Sequence, residues 1–339
     1  MTILPRPATL LHEGEQPRTT VAARLASIDH FRGFAILAMA FGNYIIGISY
    51  LPAWLKHSPD IGLTVIDLGA PWFIFAISLT VGLSAQRRVR REGRAAMIGH
   101  GFTRSMALVG IGAIFGTFQI GFGMNPGGVN WGVLQAIGVA NFLTLLVIGF
   151  PTEVRLALGL ALLGVYQALL DRFWLDVVLA SPHGGIQGAL SWTAMLMLGT
   201  VLADLYHSGG GRRALIPWLG MALLAAGMLL AEWVPVSKPR VSASYVLISL
   251  GVSALLFMLF AYLTDRRGFR SPLLAACGRN PLALYLIHQV MLGLVVLPGI
   301  PGWYAEAPPP LVLIQLVAMV GAIGWIGHEL DRRGWYFTL

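Results

Sequence analysis

Apolar runs of about twenty residues, the length needed to cross the hydrocarbon of a bilayer, recur along this chain from Phe31 onward. Ten are centred near Leu37, Ile74, Gly110, Phe142, Ala161, Met195, Met221, Leu250, Val290 and Val317. They predict an all-α, polytopic membrane protein with about ten transmembrane helices. The first two runs, Phe31–Tyr50 and Leu63–Leu83, are joined by a short polar turn that carries His57. Asn43 lies inside the first run and Asp67 in the opening turns of the second. An amide, an imidazole and a carboxylate around one apolar hairpin are costly in lipid unless each has a task or a partner. Further along, GGGRR at 209–213 and DRRGFR at 265–270 read as turns, as do SPHGG at 181–185 and the Pro-rich 299–310. Asn280-Pro281 predicts a helix start, with Asn as the cap and Pro at the first helical position. No internal repeat is evident, which argues against an inverted-repeat transporter.

Composition agrees with the pattern. The chain has 339 residues, of which 56% are hydrophobic and 11% charged, against roughly 25% charged in soluble domains. Its formal charge of +8 does not point to nucleic acid, because the arginines sit in short loops between apolar runs. With the N-terminus placed in the cytoplasm, 19 of the 23 basic residues fall on the cytoplasmic side, leaving Lys56, Arg172, Lys238 and Arg240 outside. This asymmetry predicts cytoplasmic N- and C-termini and an outward-facing His57. Residues 1–23 are polar, with no apolar core before a cleavage site. They read as a cytoplasmic tail ahead of a transmembrane domain over 24–339, whose first span would serve as its own insertion signal. A single cysteine, Cys277, gives neither a disulfide framework nor a multi-cysteine metal site.

Three residues around the first hairpin carry candidate chemistry. Imidazole suits proton acceptance near neutral pH, and a carboxylate partner would fix its tautomer, so His57 with Asp67 is a candidate base. Asp67 is equally well placed to cap its own helix together with Thr64. Asn43 reads either as interhelical glue or as a donor to a developing oxyanion. Gln135, Asn141, Asn280, Tyr285 and His288 are similar polar groups in later spans, with packing the commoner role for each. Asp29 and Arg32, three apart, face each other on one helix. Arg87 to Arg94 suit orientation, lipid phosphates or a polyanionic ligand. No GxxxxGK[ST], GxSxG or HExxH occurs, which removes support for nucleotide hydrolysis, a serine-hydrolase elbow and zinc chemistry.

Several stretches resemble the heparan-α-glucosaminide N-acetyltransferase family of transmembrane acyltransferases. They are RLASIDHFRG at 24–33, Asn43-Tyr44, HSPDIGLTVIDLGAPWFIF at 57–75, GVLQAIGVA at 132–140 and RNPLALYLIHQV at 279–290. The resemblance implies transfer of an acetyl group from cytosolic acetyl-CoA to the amine or hydroxyl of a sugar or glycan on the far side of the membrane. It places the catalytic histidine on His57, the neighbouring amide on Asn43 and the helix-start aspartate on Asp67. Arg32, Arg104, Gln135, Asn280, Tyr285 and His288 are then the candidates for holding the donor, and no metal is implied. Two departures stand out. Asp60-Ile61 replaces the family's Trp-Asn before the loop glycine, and Ala136 replaces an arginine after the Leu-Gln of the fourth span. With the large lumenal domain of the animal enzymes missing, this implies a bacterial-type, inner-membrane enzyme acting on a cell-envelope glycan or a glycan precursor. A membrane transporter or flippase and a non-catalytic membrane subunit are the alternatives, and the many apolar faces leave room for a homodimer.

Overall fold

The computed structural model describes residues 18–121 and 131–337, all helix, turn or loop, with no strand among them. The expected N-terminal tail therefore lies mostly outside the described residues. The helices in chain order are α1 (Arg18–Ile45), α2 (Gly69–Glu92), α3 (Arg94–Gly121), α4 (Val133–Val147) and α5 (Thr152–Leu169). They continue with α6 (Leu175–Leu179), α7 (Gly185–Ser208), α8 (Gly210–Arg213), α9 (Ile216–Leu230) and α10 (Ala243–Asp265). The last three are α11 (Pro272–Arg279), α12 (Pro281–Val296) and α13 (Pro309–Arg332). Among the described residues seven helices are long and apolar enough to cross a membrane, or eight if a bent pair counts as one span. The all-α membrane class expected from the sequence is thus met, with seven or eight spans among the described residues against about ten expected. The run near Val290 is a broken span, α11 and α12 meeting at 92°, and the run near Phe142 is a 15-residue helix.

The chain falls into two compact units, one within residues 1–56 and 256–339 and the other within 57–255. In the first, α1 packs on α11 so closely that no side chain fits between them. A Cβ on Gly33 would strike the Leu274 carbonyl, and one on Gly278 would strike the Asp29 carbonyl. Phe31 packs edge-on against Phe257 and Phe260. The expected Asp29–Arg32 pair forms at 3.4 Å. Pro281 opens α12 as the sequence indicates, but the Asn280 side chain does not cap it. Its Oδ1 instead accepts from the Phe337 amide at 3.0 Å.

In the second unit α7 is the central helix, with α2, α4 and α5 packed around it. It is buried on nearly all sides, as a helix apolar around its whole circumference must be. Trp192 and Tyr206 on α7 and Tyr166 on α5 are fully buried. Small residues set the approach of α7 to α2, where Gly199 lies against Ser78. Within this unit, His57 and Asp67 stand at the start of α2 and a group of arginines at its end.

Candidate active site

The loop that follows the 3-10 turn Ala53–Leu55 begins at His57 and turns at Gly62. Gly62 has φ +128°, open only to a residue without Cβ. A second loop, 234–242, runs alongside, with the Gly62 amide donating to the Val236 carbonyl at 2.8 Å. Thr64 then opens the short helix Val65–Leu68 that leads into α2.

Asp67 is completely buried and saturated with donors. His57 Nδ1 lies 2.7 Å from Oδ1. The Thr64 amide, the Thr64 hydroxyl and the Ser58 amide reach Oδ2 at 3.0, 3.1 and 3.3 Å. Both readings of Asp67 hold together, since one oxygen caps the helix while the other orients the imidazole. A carboxylate can only accept, so Nδ1 carries the proton and Nε2 keeps its lone pair. His57 remains 34% exposed through its side chain while Asp67 is at 0%, so a substrate can reach the imidazole and not the carboxylate.

A third residue completes the cluster. Lys238, on loop 234–242, places Nζ 3.2 Å from His57 Nε2, 3.0 Å from Nδ1 and 3.7 Å from Asp67 Oδ1. Nearly equidistant from the two ring nitrogens, Nζ lies against the ring and off the axis of the Nε2 lone pair. Burial pushes Lys238 down to about 8, against the opposing pull of Asp67. Burial lowers His57 as well, aided by the Lys238 charge and opposed by Asp67. The imidazole is therefore neutral near pH 7, the form that accepts a proton.

Loop 234–242 is held from several helices. The Tyr166 hydroxyl donates to the Arg240 carbonyl at 2.6 Å and the Ser191 hydroxyl to the Val241 carbonyl at 2.7 Å. Val241 adopts φ +49°, an outlier for a β-branched residue and a mark of local strain beside a site. Asp60 clamps the two loops together, accepting from Ser237 Oγ and Arg240 Nε at 2.8 Å each and from Arg240 Nη2. The Arg240 guanidinium holds the Asp60 carboxyl below its ordinary value.

The other expected residues have partners of their own. Asn43 and His288 pair within the first unit, the amide donating to Nε2 at 2.9 Å, and Tyr285 on α12 accepts from Gln289 at 2.9 Å. Arg32 reaches the Gly278 carbonyl at 3.1 Å. Gln135 returns its Oε1 to the Gly132 amide at 3.0 Å, capping α4. Arg104 is exposed on α3.

None of the six expected donor residues lines the cavity of about 770 Å³ in the second unit. That cavity runs along the C-terminal half of α2 from Ser78 to Arg90, with Arg94 and Arg212 also on its wall. Arg155 forms part of it too, only 4% exposed, bonded to Asp204, to Thr200 at 2.6 Å and to the Phe150 carbonyl at 3.2 Å. The sequence offered Arg90 and Arg94 for orientation, lipid phosphates or a polyanionic ligand, Arg155 and Arg212 only as cytoplasmic charges, and Lys238 only as an outside charge. His57 and the arginine cavity thus belong to opposite ends of one helix.

An all-helical, polytopic membrane protein with a carboxylate-oriented imidazole at the mouth of a span is the class that this fold and site define. More particularly, the chain belongs to the family described as heparan-alpha-glucosaminide N-acetyltransferase, catalytic, whose sequence model matches residues 24–263. It is 35% identical over 151 residues to the heparan-alpha-glucosaminide N-acetyltransferase of Mus musculus, covering 41% of this chain and 21% of that protein. It is also 35% identical over 130 residues to the Homo sapiens protein of that name, covering 35% of this chain and 18% of the relative. The matched stretch thus spans about a fifth of the length of these curated relatives.

Proposed function

We propose that this protein is a membrane acetyltransferase that moves an acetyl group from acetyl-CoA on the cytoplasmic side to a sugar amine or hydroxyl on the other side. One observation carries the reading: the 2.7 Å contact between His57 Nδ1 and the buried Asp67 carboxylate. It leaves a neutral Nε2 at a reachable surface, which is what removal of a proton from an attacking amine or hydroxyl requires. Asp67 then stabilises the imidazolium that forms. The acceptor's nitrogen or oxygen bonds to the thioester carbon, the carbon–sulfur bond breaks, and His57 returns the proton to the departing thiolate.

The polyanionic end of the donor suits the cavity at the far end of α2, whose wall holds Arg90, Arg94, Arg155 and Arg212 beside Glu153 and Asp204. Guanidinium groups match phosphate geometry, and exposed arginines around a buried one suit capture from solution. The departure at Asp60, committed to Arg240 and Ser237 beside the base, supports an acceptor different from that of the animal relatives. The test is binding and turnover of radiolabelled acetyl-CoA by detergent-purified protein, beside His57→Ala. Transfer of label to an acceptor such as glucosamine by wild type alone is expected. Solute movement without covalent change would place the chain among transporters instead.

A further inference from the structure

We propose that Lys238 is an acetylation site of the enzyme itself, modified through His57 when no acceptor occupies the site. The inference rests on the acetyl-CoA reading above.

The amine and the base are already in contact. An acceptor must bring its nucleophile within about 3 Å of the base that deprotonates it. Lys238 Nζ already stands 3.2 Å from His57 Nε2 and 3.0 Å from Nδ1, against the ring, so that a turn of the end of its side chain brings the amine onto the Nε2 lone pair. It is a primary amine, the functional group of an amino-sugar acceptor. It is also pinned there, because loop 234–242 is fixed by Tyr166, Ser191 and the Asp60–Arg240 clamp. The Lys238 side chain is 12% exposed, so it is not one of the freely solvated lysines that react slowly with any thioester. A thioester carbon placed for attack by an acceptor on Nε2 is therefore placed for attack by Nζ.

The reaction balances without any further reagent. Neutral Nζ forms the new bond to the acetyl carbon, and the bond from that carbon to sulfur breaks. One Nζ proton passes to His57 Nε2 and on to the thiolate, giving an amide and a free thiol. The depressed basicity of Lys238 makes its neutral form accessible near pH 8. The product amide is uncharged and larger than the amine, and it fills the place the acceptor needs. A turnover that lacks an acceptor thus switches the site off.

The experiment incubates the full-length purified protein with deuterated acetyl-CoA and no acceptor, and reads each lysine by peptide mass spectrometry. Lys56, half-buried and one residue from His57, with its Nζ donating to the Ser49 carbonyl at 2.8 Å, reports spontaneous acetylation in the same sample. Label is expected on Lys238 well above Lys56, falling at least about tenfold in His57→Ala, as loss of a general base requires, while Lys56 is unchanged. His57→Gln, closer in shape, serves if the alanine variant does not fold. Acetyl-CoA bound by the wild type with Lys238 unlabelled, or labelled equally without His57, overturns the inference and leaves the donor reading intact. Absence of acetyl-CoA binding overturns both.

Discussion

The Tyr245 hydroxyl donates to the main-chain carbonyl of Asp67 at 2.7 Å, although 178 residues separate them. Both groups are completely buried. The bond ties the start of α2, and with it the orienting carboxylate, to α10. Tyr245→Phe leaves that carbonyl without its donor, at a cost of about 1–3 kcal/mol. A lowered thermal midpoint is expected, together with a modest loss of kcat, read by fluorescence unfolding and by label transfer.

Asp67→Asn keeps the shape and removes the charge that fixes the His57 tautomer. Transfer is expected to fall at least about 100-fold, within the range of general-base contributions. The protein should still elute as a folded species, since the amide oxygen can accept one of the original donors. Single-turnover rates beside size-exclusion profiles in detergent check both halves. Full activity would remove Asp67 from the reaction.

The pH dependence follows from the neutral form of His57 being the active one. Its titration is lowered in the fold, so transfer is lost only as pH falls through a value below the ordinary histidine value near 6.5. The charged and titratable groups near the ring are Asp67, Lys238 and His183. Lys238→Met removes a cation, so His57 becomes easier to protonate and the acid limb moves to higher pH. A second transition near pH 8, belonging to Lys238, should vanish in the same variant. Rate profiles of the two proteins decide the matter.

Arg90→Ala combined with Arg94→Ala thins the cationic wall at the far end of α2. A several-fold rise in KM for the donor is expected, with kcat nearly unchanged, because the effect lies in binding. The difference between wild type and variant should shrink with added salt.

Gly33→Ala tests the crossing of α1 and α11. The new methyl meets the Leu274 backbone rather than a movable side chain, so relief requires the helices to separate. Overpacking of this kind costs about 1–3 kcal/mol or more, and reduced yield and thermal stability in detergent are expected.

His57 and Asp67 were legible in the sequence because ten residues, a turn glycine and a helix cap bring them together locally. Lys238 was not, since 181 residues separate it from His57 and nothing in its own loop marks it. Its role emerges only where α5, α7 and α10 fix loop 234–242. The polar groups of the later spans were visible as costly residues, yet hydropathy could not say which partner each takes. Asn43 finds His288, Gln135 caps its own helix and Asn280 holds the Phe337 amide. The arginines near the end of α2 were visible as charge. That a buried Arg155 joins them in a cavity depends on the packing of α5 against α7.

From Asp67 to Ser78, where the arginine-walled cavity begins, the chain climbs 11 residues of nearly continuous helix, about 17 Å at 1.5 Å per residue. That span makes α2 a ruler. A donor bound in that cavity delivers an acyl group to His57 only if a long neutral arm joins the two. Small activated acyl compounds, such as acyl phosphates, carry charge and acyl group side by side, and are turned away by length alone.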